Sequence, residues 1–188
     1  MARITRRELT NLLGAFGVVA TLAGLAFGLP AVDRALPAQR AVRTDRPYPV
    51  GAGISVFPPP GATVDVTGTR PGDDQGTALF RLGHVRYAIA VRPFDGDLAT
   101  AATRLRQRIT GTSGYQVTGA QLAVRTADGV SGLQGGYTAP GRGGRYTVFV
   151  TAGLTIEVTI AGDDLALARM LPLIESSVRT LRRDGEPR

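Results

Sequence analysis

The chain has 188 residues, a net charge of +7 and no Cys, so disulfide frameworks, thiolate metal sites and lipidated cysteines are excluded. Its 22 basic residues are all Arg, so there is no Schiff-base lysine, no P-loop lysine and no Ser–Lys dyad. Residues 47–181 hold twelve Arg against ten acids, and the basic excess lies in the terminal stretches. That distribution suits anionic headgroups better than a base-reading surface, and no nucleic-acid partner is expected.

Arg3, Arg6 and Arg7 precede an uncharged run of 24 residues, Leu9 to Val32. As a helix it would be about 36 Å long, enough to cross about 30 Å of hydrocarbon. The positive-inside rule puts residues 1–8 in the cytoplasm as a basic tail and everything after the 9–32 transmembrane helix outside. The alternative is a cleaved export signal, since Thr5-Arg6-Arg7-Glu8-Leu9 resembles a twin-arginine core. Residues 33–46 read as a Pro- and Arg-containing spacer, 47–182 as one extracytoplasmic α/β domain and 183–188 as a disordered C-terminal tail.

Within the domain, Gly53 to Phe57 reads as a short strand stopped by Pro58-Pro59-Pro60-Gly61, and Thr63 to Val66 as another. Ala78, Phe80 and Leu82, then Val85, Tyr87, Ile89 and Val91, alternate at strand spacing. A two-residue turn at Gly83-His84 pairs Leu82 with Val85 and Phe80 with Tyr87. Asp97 caps a helix carrying Leu98, Ala102, Leu105 and Ile109 on one stripe, and Gly111 offers its stop. Arg104, Arg106 and Arg108 occupy the later turns of that helix.

A four-strand meander follows. A two-residue turn at Asp128-Gly129 pairs Val124 with Leu133 and Ala120 with Tyr137. Pro140-Gly141-Arg142-Gly143-Gly144 reads as a loop. A three-residue turn at Thr151-Ala152-Gly153 pairs Val148 with Ile156, Tyr146 with Val158 and Thr147 with Glu157. Asp163 or Asp164 caps a last helix, in which Pro172 predicts a kink or break. The fold class is α+β, a mostly antiparallel sheet of six to seven strands packed with two helices.

The order of Gly-Ile-Ser-Val-Phe-Pro-Pro-Pro-Gly at 53–61, a strand pair, an arginine-bearing helix, an antiparallel meander and a helix ending Ile174-Glu175-Ser176-Ser177-Val178-Arg179-Thr180-Leu181 resembles the Mog1/PsbP-like α/β/α sandwich. It is similar to actinobacterial envelope proteins of the LpqN type. The resemblance implies a binding or assembly module without catalytic residues, and a membrane helix stands where those lipoproteins carry a lipid. No functional residue is carried over from it.

The chemistry of the side chains points the same way. His84 is the only His and falls in a turn, so it reads as a solvated residue rather than a base or ligand. Asp73-Asp74, Asp95-Gly96-Asp97 and Asp163-Asp164 sit where loops and caps are expected, with no calcium-loop spacing. No cofactor, metal or catalytic residue is expected. Arg104, Arg108, Arg142 and Arg145 are the candidate contacts for an anion or partner. The expected partners are the lipid bilayer and an envelope protein. The function read is a membrane-anchored extracytoplasmic binding or assembly module of the bacterial cell envelope, or else an exported carrier of a small apolar ligand or lipid. Washed membranes separate the two. An intact 19.7 kDa species is expected there, and a shortened soluble species beginning near Leu29 would show cleavage instead.

Overall fold

The structure is a computed structural model that describes residues 39–184. In chain order these form β1 (Gln39–Ala41), β2 (Tyr48–Gly51), β3 (Ile54–Val56), β4 (Thr63–Asp65), β5 (Gly76–Leu82) and β6 (Val85–Pro93). Helix α1 (Leu98–Thr110) then leads into β7 (Gln116–Arg125), β8 (Ser131–Ala139), β9 (Arg142–Thr151) and β10 (Leu154–Gly162). Helix α2 (Asp164–Arg179) and β11 (Arg182–Arg183) complete the chain of elements. Eight strands make one antiparallel sheet in the order β1-β4-β5-β6-β10-β9-β8-β7. Strands β11, β3 and β2 make a second, small sheet. The expectation of six to seven strands is therefore too low, because the short strands β1, β2 and β11 carry no alternation long enough to read.

One face of the large sheet is covered by α2 and the small sheet and the other in part by α1, and the alternation decides what packs on each. Phe80, Tyr87, Ile89, Val91, Phe149, Ile156, Val158 and Ile160 pack with Ile174 and Val178 of α2 and with Val50, Ile54 and Val56 of the small sheet. On the other face Tyr137, Tyr146 and Val148 pack with Ala101, Ala102, Leu105 and Ile109 of α1. A buried polar chain ties the first layer together. Tyr87 donates to Ser177 Oγ at 3.3 Å, and Ser177 in turn donates to the Phe57 carbonyl at 2.6 Å. Those polar atoms are otherwise sealed from water, so each bond removes a desolvation penalty.

Two turns differ from expectation, and each shifts its hairpin by one residue. At Asp128-Gly129 the Thr126 N–H donates to the Val130 carbonyl at 3.0 Å, which makes a three-residue loop of Ala127, Asp128 and Gly129. Ala123 then faces Leu133, and Val124 faces Gly132. A bulge between Thr118 and Leu122 moves the register again, so Tyr137 pairs with Val117, not Ala120. At the next hairpin the turn is only Ala152-Gly153, because Ala152 also takes a left-handed backbone, with φ 47°. Phe149 therefore meets Ile156, Val148 meets Glu157, Tyr146 meets Thr159 and Thr147 meets Val158. The Gly-rich stretch is strand from Arg142 onward, turning at Pro140-Gly141. Gly144 is needed there because a Cβ would lie 2.1 Å from the Tyr137 ring.

The β5–β6 register and the two helix N-caps agree with expectation, whereas the break expected at Pro172 is not found. Leu82 pairs with Val85 and Phe80 with Tyr87. Asp97 accepts from Thr100 N at 2.7 Å and Asp163 from Ala166 N at 2.8 Å, so both caps are made. Gly111 ends α1 in a right-handed conformation, φ −69°. Helix α2 runs unbroken through Pro172. Pro172 and Ala168 are both exposed, so water can take the carbonyl that proline leaves without a donor.

The ordered fold is also longer than the expected domain. Strand β1 lies within the stretch read as spacer and pairs with β4, and β11 reaches Arg183 of the expected tail. Among the described residues no helix is long and apolar enough to cross a membrane. The transmembrane segment expected at 9–32 lies outside the described residues.

The two sheets touch where β2 crosses the start of β5. A Cβ on Gly76 would lie 2.0 Å from the Val50 carbonyl oxygen and 2.7 Å from Gly51 Cα. Backbone cannot yield as a side-chain tip can. Gly76→Ala is expected to cost about 2 kcal/mol or more, read as a lower urea midpoint with an unchanged slope.

Candidate functional site

Helix α1 spans thirteen residues and packs over β7, β8 and β9. It leaves the same face of β6 and β10, and the Arg81 end of β5, open among the described residues. The result is a groove of about 810 Å³ beside α1. Its floor is small, with Ala88 and Ala90 from β6 and Thr159, Ala161 and Gly162 from β10. Arg81, Arg86, Arg92, Arg108 and Arg142 line it together with His84. Strand geometry explains the set, since Arg86, Ala88, Ala90 and Arg92 alternate with the buried Val85, Tyr87, Ile89 and Val91. One face of β6 builds the core and the other builds the groove.

The charges divide into two groups. At one end Glu157 is buried on the floor and held by two arginines. Arg92 Nη1 donates to its Oε2 at 3.0 Å, and Arg108 Nη2 donates to Oε1. Both guanidinium groups are about half exposed, with side-chain exposures of 48% and 52%. They therefore keep donor capacity toward the groove.

At the other end Arg81 and Arg86 face each other directly across the β5–β6 ladder. Like charges in that position repel. Arg81 reaches Asp65 only through Nε, at 3.5 Å. Asp65 is held below the usual carboxylate range, first by the Thr67 hydroxyl, against the opposing effect of burial. Arg86 and Arg142 have no ion-pair partner among the described residues. The Asp163 carboxylate on the nearby wall is turned to the N-terminus of α2.

Tyr115 and Tyr137 form an aromatic wall, stacked with ring centroids 5.9 Å apart. The Tyr137 hydroxyl donates to the Ile160 carbonyl at 3.0 Å.

The four arginines singled out from the sequence separate. Arg108 and Arg142 lie in the groove. Arg104 stacks its guanidinium 5.2 Å from the Phe94 ring centroid. Arg145 is on the opposite face, donating to Glu175 at 2.8 Å and, more weakly, to Gln134 at 3.5 Å. Reading the sequence missed Arg81, Arg86 and Arg92. The signal was present, because the Gly83-His84 turn fixes Arg81 opposite Arg86 as firmly as Leu82 opposite Val85. His84 sits in that turn, exposed as expected, but on the groove rim.

Among the described residues no cluster of His, Cys, Asp or Glu could hold a metal ion. Two apolar clusters pack the sheet against its helices, and the arginine groove lies beside them.

Burial pushes the Tyr137 hydroxyl up to about 12, Tyr115 pushes it the same way, and Arg86 and Arg142 pull it back. A folded-state value above the unfolded one stabilises the fold fully below the unfolded value, near 10. That contribution fades as pH rises through about 12. Stability is therefore expected to fall between those limits. Urea titrations across that range should show a shallower fall in Tyr137→Phe, with residual slope from Tyr87 and Tyr48, whose hydroxyls burial also raises.

No protein-family model matches the sequence, and no curated protein matches it. Solved structures do. Cyanobacterial PsbP (CyanoP) from Synechocystis is 14% identical, with a TM-score of 0.53 over 73% of this chain and 91% of its own. PA94, a protein of unknown function from Pseudomonas aeruginosa, is 15% identical, with a TM-score of 0.50 over 72% of this chain and 99% of its own. LpqN of Mycobacterium tuberculosis, involved in cell envelope biogenesis, is 15% identical, with a TM-score of 0.41 over 72% of this chain and 87% of its own. At such identities likeness speaks for architecture alone, and the architecture of residues 39–184 is the PsbP-like fold.

Proposed function

We propose that this is a binding module of the bacterial cell envelope, held outside the membrane by residues 9–32, which takes an anionic partner into the groove beside α1. One observation carries the reading. Five arginines line a single open groove, and only Asp65, Glu157 and the cap residue Asp163 stand near to offset them. Like charges brought together this way cost folding energy, and an anion arriving in the groove would relieve that cost.

The placement outside the membrane rests on the basic residues before the uncharged run at 9–32. The binding role fits a face built from alternating arginine and alanine. The arginines supply forked donors, and the alanines keep the floor shallow enough for a partner to lie across. No acid–base pair or activated nucleophile enters the reading, so what the groove does is hold.

A diazirine amino acid at Ala90, on the groove floor, tests this in the native envelope. An adduct is expected from Ala90 and not from Ala168 on the exposed side of α2. The adduct should disappear when Arg86 and Arg142 are both changed to Glu. An adduct that survives the charge reversal, or one equally strong from Ala168, would sink the proposal.

A further inference from the structure

The two ends of the groove differ in kind, and the difference bears on the ligand. Around Glu157 the guanidinium groups already have a carboxylate. Around Arg86 they do not. Arg81 and Arg86 oppose each other there and Arg142 lines the same groove from β9, with the His84 imidazole on the rim, Asp65 engaged by Arg81 and Asp163 turned to the α2 cap.

We infer that this end is a subsite for a phosphoryl group, and that the rest of the ligand lies over the alanine floor toward Arg92 and Arg108. The inference rests on the groove being the binding face. A single carboxylate would leave the subsite under-neutralised. A phosphate monoester carries close to two negative charges at neutral pH and offers three acceptor oxygens, which suits several forked donors approaching from different strands. The donors come from three places, β5 for Arg81, β6 for Arg86 and the start of β9 for Arg142. That arrangement surrounds a compact, multi-oxygen group better than it tracks a flat carboxylate.

The neighbouring wall fits the same ligand. Tyr137 is fixed by its bond to the Ile160 carbonyl and stacked on Tyr115, so the ring faces are held while the hydroxyl is spoken for. Gly144 keeps the adjacent backbone close to the Tyr137 ring. Strands β5 and β6 hold Arg81 and Arg86 in fixed register, and Arg142 follows directly on the Pro140-Gly141 turn.

The same phosphoryl chemistry could come from a lipid headgroup or from a soluble phosphate ester, and the experiment separates the two. His84 is the only histidine in the chain, so its imidazole Cε1–H is a single proton resonance at the edge of the subsite. The full-length chain in phosphatidylcholine nanodiscs is titrated with inorganic phosphate, and with acetate at equal ionic strength. Saturable movement of the His84 resonance is expected with phosphate and not with acetate. Changing Arg86 and Arg142 to Gln should weaken the phosphate response by about tenfold or more, while Arg125→Gln leaves it unchanged.

In a second arm phosphatidic acid is blended into the discs. Movement there without added phosphate assigns the source to a headgroup, and movement only with dissolved phosphate assigns it to a soluble ester. Equal responses to phosphate and acetate, or equal loss in the Arg125 variant, overturn the inference. If phosphate does nothing while the Ala90 adduct still depends on Arg86 and Arg142, the groove stands as a binding face and the phosphoryl assignment falls.

Discussion

The register of β10 between β6 and β9 is the constraint on which every layer depends. Strand β10 joins two runs of sequential hairpins, β4 to β6 on one side and β7 to β9 on the other. Both of its faces carry information. Ile156, Val158 and Ile160 point into the apolar layer under α2, and Thr155, Glu157 and Thr159 point the other way. A slip of one residue would bury Glu157 among Tyr87, Ile89 and Phe149 and put three large apolar side chains on the groove floor. Burying an unpaired carboxylate there would cost several kcal/mol, so the sheet has one workable register. The Arg92 and Arg108 contacts with Glu157 work in the same direction, since they form only in that register.

The groove follows from a mismatch between the sheet and its cover. Eight strands present a face wider than one thirteen-residue helix can cap. On the α2 side the small sheet makes up the difference, because Val50, Ile54 and Val56 extend the apolar layer past the helix. On the α1 side the chain at Gly68 and Thr69 covers Leu79 of β5, and among the described residues β6 and β10 stay open. The uncovered strands must then meet water, and their outward residues are arginine, alanine and threonine. Covering this face would have been the cheaper way to build a stable domain. Leaving it open, with Arg81 and Arg86 in direct opposition, keeps a strained positive surface that the fold itself does not need.

Much of the architecture was legible because it rests on long alternations and short caps. β5 and β6 could be paired residue by residue, the first helix cap was readable from Asp97, and the second was narrowed to Asp163 or Asp164. Two hairpins were misread by one residue for a local reason. Asp-Gly favours a two-residue turn, but the Thr126 N–H and hydroxyl both engage Val130 and hold a longer loop open. Ala152 prefers a right-handed backbone, so a turn with two left-handed residues looked unfavourable at Ala152-Gly153. Long-range pairing with β6 and β8 sets the register there and outweighs a cost of about 1–2 kcal/mol. The strands β1, β2 and β11 were illegible because two to four residues cannot show a period.

The site was half legible, and charge counting hid the rest. Residues 47–181 are nearly balanced in acids and arginines, which argued against a strongly basic surface. The balance is real, but the two signs are used in different places. Asp97 and Asp163 are spent on helix caps, Asp164 lies in the first turn of α2, and Asp73, Asp74, Asp95 and Asp128 lie between elements. Only Asp65, Glu157 and Glu175 make ion pairs with arginines of the body. Four of the five groove arginines, Arg81, Arg86, Arg92 and Arg142, stand instead on strands, where alternation directs them to the groove face, and Arg108 joins them from α1. Backbone demands for caps and turns therefore separate the charges that the composition brings together. A near-neutral domain acquires a concentrated positive groove through secondary structure alone, and that separation is what the mean charge of a chain cannot reveal.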